Sequence, residues 1–327
     1  MNVFLVQPAE VSEKNPHEVE TLLQRDDAFV WVDIPEWDDE AERLLVSTFG
    51  CHPLVITSCK ERNFVPTVHS YEAHTFVILH VPLAGEAGHV HSLELDQIIS
   101  GRYLITVHGP RNPAVPLEES TAETRGVLNR MEQGRFRPRS PYELSYAIGS
   151  AIARRQSRTV RMVANRLPQL EQQVLGSDFR RPEDLLEQLF LLRHELLIAR
   201  TMAAQAHDMY VRIDSLERFI AEADRPFARD LSVQFDRVRS VADGESQFLF
   251  GVIDLYQTRV TTKMTVAMER LAVIAAITLP VTALASVYGM NVIVNTRTHV
   301  VQLVAVLAVM LVISGLLLRW TKKQGWW

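Results

Sequence analysis

The sequence predicts an α/β domain at the N-terminus, a long-helix stalk behind it, and two C-terminal transmembrane helices. Three observations lead there. Runs rich in β-branched and aromatic residues lie before residue 109, and strand signals vanish from Pro113 onward. Between Pro141 and Tyr288 the chain reads as helix, punctuated only near Gly176-Ser177-Asp178 and again near Pro226. Residues 271–288 and 300–318 hold no charged side chain. Each of these runs is about 18–19 residues, roughly 27–29 Å as helix, enough to cross the hydrocarbon core of a bilayer. The resulting division is 1–140 for the α/β domain, 141–268 for the stalk and 269–327 for the hairpin with its basic tail.

The bulk composition fits a small membrane part on a large globular one. The chain is 47% hydrophobic with a net charge of −5, and its mean hydropathy is +0.01. Residues 1–10 lack a basic segment and a long apolar core, so no signal peptide is expected. No acidic or basic tail points to nucleic acid. Two cysteines, Cys51 and Cys59, are too few for a disulfide scaffold and fit a reducing compartment. Neither a P-loop, a glycine-rich dinucleotide fingerprint nor a nucleophile–His–acid set occurs, so neither an enzyme nor ATP-driven transport is expected, and no cofactor.

The elements follow in order. Residues 29–33 are a strand. A polar helix comes next, with Trp37, Leu44, Leu45 and Phe49 at helical spacing and Asp38, Asp39, Glu40 and Glu42 at its start, where acids favour the helix dipole. Residues 75–81, 93–100 and 102–108 are strands, the last two joined at Gly101. A long helix spans Pro141 to Leu175. A second starts at Pro182, where proline followed by Glu183 and Asp184 marks a first turn, and runs to about Ile220. A third runs from Pro226 to Tyr288; if continuous it is about 95 Å long, too long for burial in one subunit.

One face of the third helix advances by threes and fours: Asp254, Thr258, Thr261, Thr265, Met268, Ala272, Ala275, Leu279, Thr282 and Ser286. The 3.5-residue period belongs to a left-handed supercoil. Thr and Ala in place of Leu and Ile suit either tight helix packing or a water-lined channel around a symmetry axis. The short connection, residues 291–299, forces a hairpin. Lys263, Arg270, Arg319, Lys322 and Lys323 flank its open end, whereas the loop carries only Arg297. The positive-inside rule places both termini in the cytoplasm of a bacterial-type inner membrane, with Trp320, Trp326 and Trp327 at the inner interface.

The run Leu279-Pro280-Val281-Thr282, then Val287-Tyr288-Gly289-Met290-Asn291, a short loop, one further span and a basic end resembles the CorA family of divalent-cation channels. The resemblance is strong from Pro141 to Trp327; the α/β part is similar only in outline, around residues 66–81. It implies a homopentameric funnel in which the first span of each subunit lines the pore and the second forms an outer ring. Gly289, Met290 and Asn291 then form the outer selectivity filter, Asp254 the pore carboxylate at the cytoplasmic end, and Met268 with Leu271 a hydrophobic gate. Thr265 sits where an Asn is common. Asp230, in Phe227-Ala228-Arg229-Asp230, falls on an inter-subunit regulatory carboxylate. Gly289 is expected to need a positive φ or a close backbone approach.

Mg²⁺ is the expected cargo, because a ring of neutral oxygens can hold a hydrated ion that surrenders its water reluctantly. Zn²⁺, Co²⁺ and Ni²⁺ are the other cargoes in view, and two departures from the family pattern speak against electrostatic capture from outside and against Mg²⁺ bridging subunits at the first long helix. Residues 292–299 hold no acid, where many members carry acidic residues, and the first long helix is basic, with Arg154, Arg155, Arg158, Arg161 and Arg166. The zinc-transporting ZntB branch, proton-coupled, is therefore one alternative; a membrane-anchored scaffold or sensor that conducts nothing is another. Separately, His69, His74, His80, His89 and His91 cluster in the α/β region, and Cys51-His52 with Cys59 offers metal-type donors. Core and surface roles are the expectation for both groups, since the cysteine spacing matches no common zinc pattern.

Overall fold

The computed structural model describes residues 1–8, 10–85, 89–176, 182–216, 218–289 and 300–323. They form two compact units, Met1–Val252 and Ile253–Trp327.

In the first unit the described strands are β1 (Asn2–Val6), β2 (Val11–Lys14), β3 (Phe29–Ile34), β4 (Thr67–Ser70), β5 (Thr75–Ala84), β6 (Val90–Ile99) and β7 (Tyr103–His108). They make one sheet in the order β2-β1-β3-β7-β6-β5-β4. Only the β3–β7 pair is parallel among the described strands. The helices are α1 (Val19–Leu22), α2 (Asp39–Ser47), α3 (Pro53–Lys60), α4 (Leu117–Ser120), α5 (Ala122–Glu132), α6 (Pro141–Leu175), α7 (Pro182–Ser215), α8 (Arg225–Gly289) and α9 (Val300–Lys323).

Strand side chains alternate between two buried faces, and the alternation sorts the core into two clusters. Phe4, Trp31, Val77, Leu79, Leu95 and Leu104 face one way, with Leu144, Ile148 and Ile152 of α6, Tyr210 of α7 and Phe235 of α8. Val3, Val30, Val32, Phe76, Ile78, Ile98 and Ile105 face the other way, under Ala41 and Leu45 of α2 and Val55 and Cys59 of α3. Burial on both faces explains why β3, β5 and β7 read as continuous apolar runs. A polar seam crosses the first face: Trp31 Nε1 donates to Thr106 Oγ1 at 3.1 Å, and His108 bridges Asp33 and the Ser120 carbonyl.

Local signals set the helix starts. Asp38 Oδ1 accepts from Ala41 N at 2.7 Å ahead of the acidic first turn of α2. At α6, Ser140 Oγ accepts from Glu143 N, Pro141 occupies the first turn, and Glu143 Oε2 accepts from Arg139 N. This reciprocal capping fixes where α6 leaves the domain.

The start of α8 is anchored in the same core. Leu231 and Phe235 are buried, and Phe235 stacks on Tyr210 with ring centroids 5.7 Å apart. Each such apolar side chain contributes about 1.5–3 kcal/mol by leaving water. Gly149 of α6 permits the approach: a Cβ there would lie 3.0 Å from Leu231 Cδ1 and 3.3 Å from Tyr210 Oη.

In the second unit the remainder of α8 and α9 are both long and apolar enough to cross a membrane. Large apolar side chains lie open along them, including Leu271, Ile274 and Leu279 on α8 and Val301, Leu311 and Leu316 on α9. A helix that is apolar yet unburied in its own chain has lipid or another subunit as its surroundings.

Candidate functional site

The predicted face of α8 is continuous helix from Asp254 to Ser286. Asp254, Thr258, Thr261, Thr265, Met268, Leu271, Ala272, Ala275, Leu279, Thr282 and Ser286 are all exposed in the isolated chain. The buried positions of this stretch, Tyr256 and Val273, belong to other faces. The row therefore occupies one uninterrupted side of the helix and is left uncovered by the chain's own residues.

Two hydroxyls on this side have a defined sense. Thr265 Oγ1 donates to the Thr261 carbonyl at 3.0 Å, and Thr282 Oγ1 donates to the Thr278 carbonyl at 2.8 Å. Each proton is thus used inside the helix, and each oxygen faces outward only as an acceptor. Two residues before Thr282, Pro280 lies inside the helix; lacking an N–H, it leaves the Ala276 carbonyl without its helical donor. The side thus offers oxygen acceptors, one carboxylate at Asp254 and no basic group. It can attract a cation or the hydrogens of a cation's water shell.

Gly289 is the last residue of α8. The expectation of a positive φ there fails: among the described glycines that conformation occurs at Gly50 and Gly134. A Cβ on Gly289 would meet nothing within 4 Å. The helix runs through Gly289 in ordinary geometry, so no strain inside the chain demands glycine. Met290 and Asn291 lie outside the described residues.

Asp230, in the first unit, is exposed on α8. Its Oδ2 accepts from Tyr146 Oη at 2.8 Å and from Gln234 Nε2 at 2.6 Å. Gln234 Nε2 also reaches Ser150 Oγ at 3.1 Å, tying the carboxylate to α6. Burial and the bond to Asp230 both raise the Tyr146 phenol above its ordinary value, so it stays protonated and donates. The neighbouring Arg229 pairs with Asp214 at 3.2 Å. The basic character of α6 is partly compensated within the chain: Arg155 pairs with Glu119 at 2.9 Å and Glu123 at 3.1 Å, and Arg166 lies 3.9 Å from Glu195. None of these acidic partners is marked by a local sequence signal, because tertiary packing alone brings them to the arginines.

The histidines and cysteines of the α/β domain do not converge. Among the described residues no group of three His, Cys, Asp or Glu side chains is arranged to hold a metal ion. Cys51 and Cys59 are free and buried, and burial pushes the Cys51 thiol up to about 12. His52 Nδ1 accepts from Leu54 N at the start of α3. His74 and His80 are buried in the sheet, and His89 and His91 stand edge to face, 4.7 Å apart.

The architecture is an α/β domain, a long helix and two C-terminal helical segments long and apolar enough to cross a membrane. Residues 26–323 match the family described as CorA-like Mg²⁺ transporter protein, and the chain belongs to that family. YfjQ of Bacillus subtilis is 24% identical over 94% of this chain and 93% of its own length. The cobalt/magnesium transport protein CorA of Thermotoga maritima is 25% identical over 85% of this chain and 77% of its own length. Among solved structures, the CorA magnesium transporter of Methanocaldococcus jannaschii superposes with a TM-score of 0.81 at 19% identity, covering 100% of this chain and 99% of that one. The ZntB cytoplasmic domain of Vibrio parahaemolyticus superposes at 0.59 with 11% identity, covering 81% and 98%. These structural likenesses establish the fold.

Proposed function

We propose that the protein is a homopentameric channel for divalent cations, Mg²⁺ first, with the exposed acceptor face of α8 lining the pore. The observation that carries this reading is the uncovered row from Asp254 to Ser286, acceptor-rich and free of basic groups. Symmetry turns the row into rings. Asp254 becomes a ring of carboxylates that concentrates cations. Thr258, Thr261, Thr265, Thr282 and Ser286 become rings of acceptors for the hydrogens of bound water. Met268 and Leu271 become an apolar constriction that closes by dewetting.

An ion that keeps its water shell needs such outer acceptors and no charged ligand within the bilayer, which suits Mg²⁺. Gly289, Met290 and Asn291 form the outer filter, with the Asn291 amide oxygens ordering the hydrated ion. Both termini lie in the cytoplasm. Asp230 is the candidate regulatory ligand: its two hydrogen bonds fall on Oδ2, and Oδ1 is left to a cation shared with a neighbouring subunit.

The test is ion flux into liposomes carrying the purified protein, comparing Mg²⁺, Zn²⁺, Co²⁺ and Ni²⁺ with and without a pH gradient. Mg²⁺ uptake that needs no gradient, and is lost in Asn291→Ala while the oligomer persists, supports the reading. Zn²⁺ uptake that requires the gradient replaces it with proton-coupled zinc transport. Absence of flux for every ion leaves an anchored scaffold.

A further inference from the structure

A buried polar cluster lies on the sheet face beneath α3 in the first unit. His80 of β5 and Glu94 of β6 are directly opposed across the strand pair, and Asp96 follows on the same face. Cys59 of α3 covers them. Relative exposure is 1% for Cys59, 2% for His80, 7% for Glu94 and 0% for Asp96. The cluster grips one residue of the connection between α3 and β4. Asn63 N donates to Glu94 Oε2 at 2.7 Å, and Asn63 Nδ2 donates to Glu94 Oε1 at 2.6 Å. The Asn63 carbonyl lies 2.9 Å from His80 Nε2, which must therefore carry the hydrogen. Immediately beyond this grip, Phe64 and Val65 stand 75% and 50% exposed.

We infer that Glu94 is a proton-operated latch: ionised, it clamps Asn63, and on taking a proton it releases residues 61–66. The chemistry is one of acceptors. Asn63 presents two N–H groups to Glu94, and only a carboxylate receives both at full strength. A protonated carboxyl keeps one good acceptor and turns an O–H toward a donor.

The groups facing Glu94 make it the moving part. From β5, His80 keeps its Nε2–H whether neutral or charged, so its titration leaves the Asn63 bond intact. From β6, the Asp96 carboxyl lies against the Glu94 carboxylate and the Cys59 thiol. Burial and then the Glu94 charge raise that carboxyl well above its ordinary value, and Glu94, which accepts both Asn63 N–H groups, is the member of the pair placed to hold the negative charge. From α3, Cys59 is an un-ionised thiol, raised first by burial. From the connection, the Arg62 charge favours the Glu94 carboxylate, and on the β7 side Gly109 brings only backbone, so close that a Cβ would meet Glu94 Cβ at 2.7 Å. Burial raises Glu94 itself above the usual carboxylate range, which brings its protonation nearer to mildly acidic pH.

Hydrogen–deuterium exchange of the full-length protein in detergent tests the latch, read by mass spectrometry on the peptide containing Asn63 and corrected for intrinsic rates. Going from neutral to mildly acidic pH should increase exchange there by about tenfold, the weight of a hydrogen bond to a charged acceptor. The strands β3 and β7 should stay protected. Glu94→Gln should exchange fast and equally at both pH values. His80→Gln retains a donor and should keep the pH response, which decides the matter if Glu94→Gln does not fold. Unchanged protection of the wild-type peptide on acidification would overturn the inference, as would loss of the response in His80→Gln.

Discussion

Asp96→Asn is a perturbation whose sign follows from burial alone. Asp96 is fully buried, and a second carboxylate lies beside it. Its native pKa is therefore above the unfolded value. Between those two values the unfolded chain has released the proton while the native protein retains it, so the unfolded state gains as pH rises. Stability falls with pH across that window at about 1.4 kcal/mol per pH unit and levels off above the native value. An amide has no proton to lose, and its NH₂ can donate to Glu94. Asp96→Asn should thus raise stability at neutral pH by about 1–3 kcal/mol, the order of the desolvation penalty of one buried polar group. Thermal unfolding of wild type and variant over a pH series is the assay. The expected result is a higher midpoint for the variant at neutral pH and a flatter dependence from the carboxylate range upward. A variant that is less stable at neutral pH, or one with the wild-type slope, would refute the argument.

Three further outcomes follow from particular contacts. Gly149→Val drives side-chain atoms into Leu231 and Tyr210 where three helices meet and should cost about 1–3 kcal/mol in the same unfolding assay; a neutral result would mean α8 is held less closely than the distances state. Met268→Asn wets the proposed constriction and should raise liposome leak at high internal Mg²⁺, whereas unchanged or lower flux places the gate elsewhere. Asp230→Asn keeps the shape that Tyr146 and Gln234 recognise but loses the charge, so Mg²⁺ should protect the native protein from protease and not the variant; identical Mg²⁺ titrations remove the regulatory role.

The long helices are legible in the sequence because punctuation marks them. Proline at 141 and 182 and the gap before Pro226 place α6, α7 and α8 within a few residues, since capping groups act on the adjacent backbone. β3, β5, β6 and β7 are legible from residue type. β1, β2 and β4 are not: each is four or five residues long, too short for a clear alternation, and owes its state to pairing with a neighbouring strand. The Glu94 cluster is hidden for a different reason. Leu93-Glu94-Leu95-Asp96 alternates as a half-solvated strand does, and nothing local records that α3 roofs the polar side. The proposed pore face is legible because a helical period is a local property. The partners of Asp230 and Arg155 are not, because α5, α6 and α8 meet only in the fold.

The central claim, that the acceptor face of α8 is the ion path, is tested most directly by thiol block of Mg²⁺ flux in liposomes. Cys51 and Cys59 are 6% and 1% exposed, and burial raises both thiols, so the native background is unreactive. Thr282→Cys puts a thiol on the proposed face, and Leu284→Cys puts one about 200° around the helix. A charged, water-soluble methanethiosulfonate is predicted to stop flux through Thr282→Cys and to leave Leu284→Cys conducting. Equal sensitivity at the two positions, or block at Leu284→Cys alone, would contradict a path along this face.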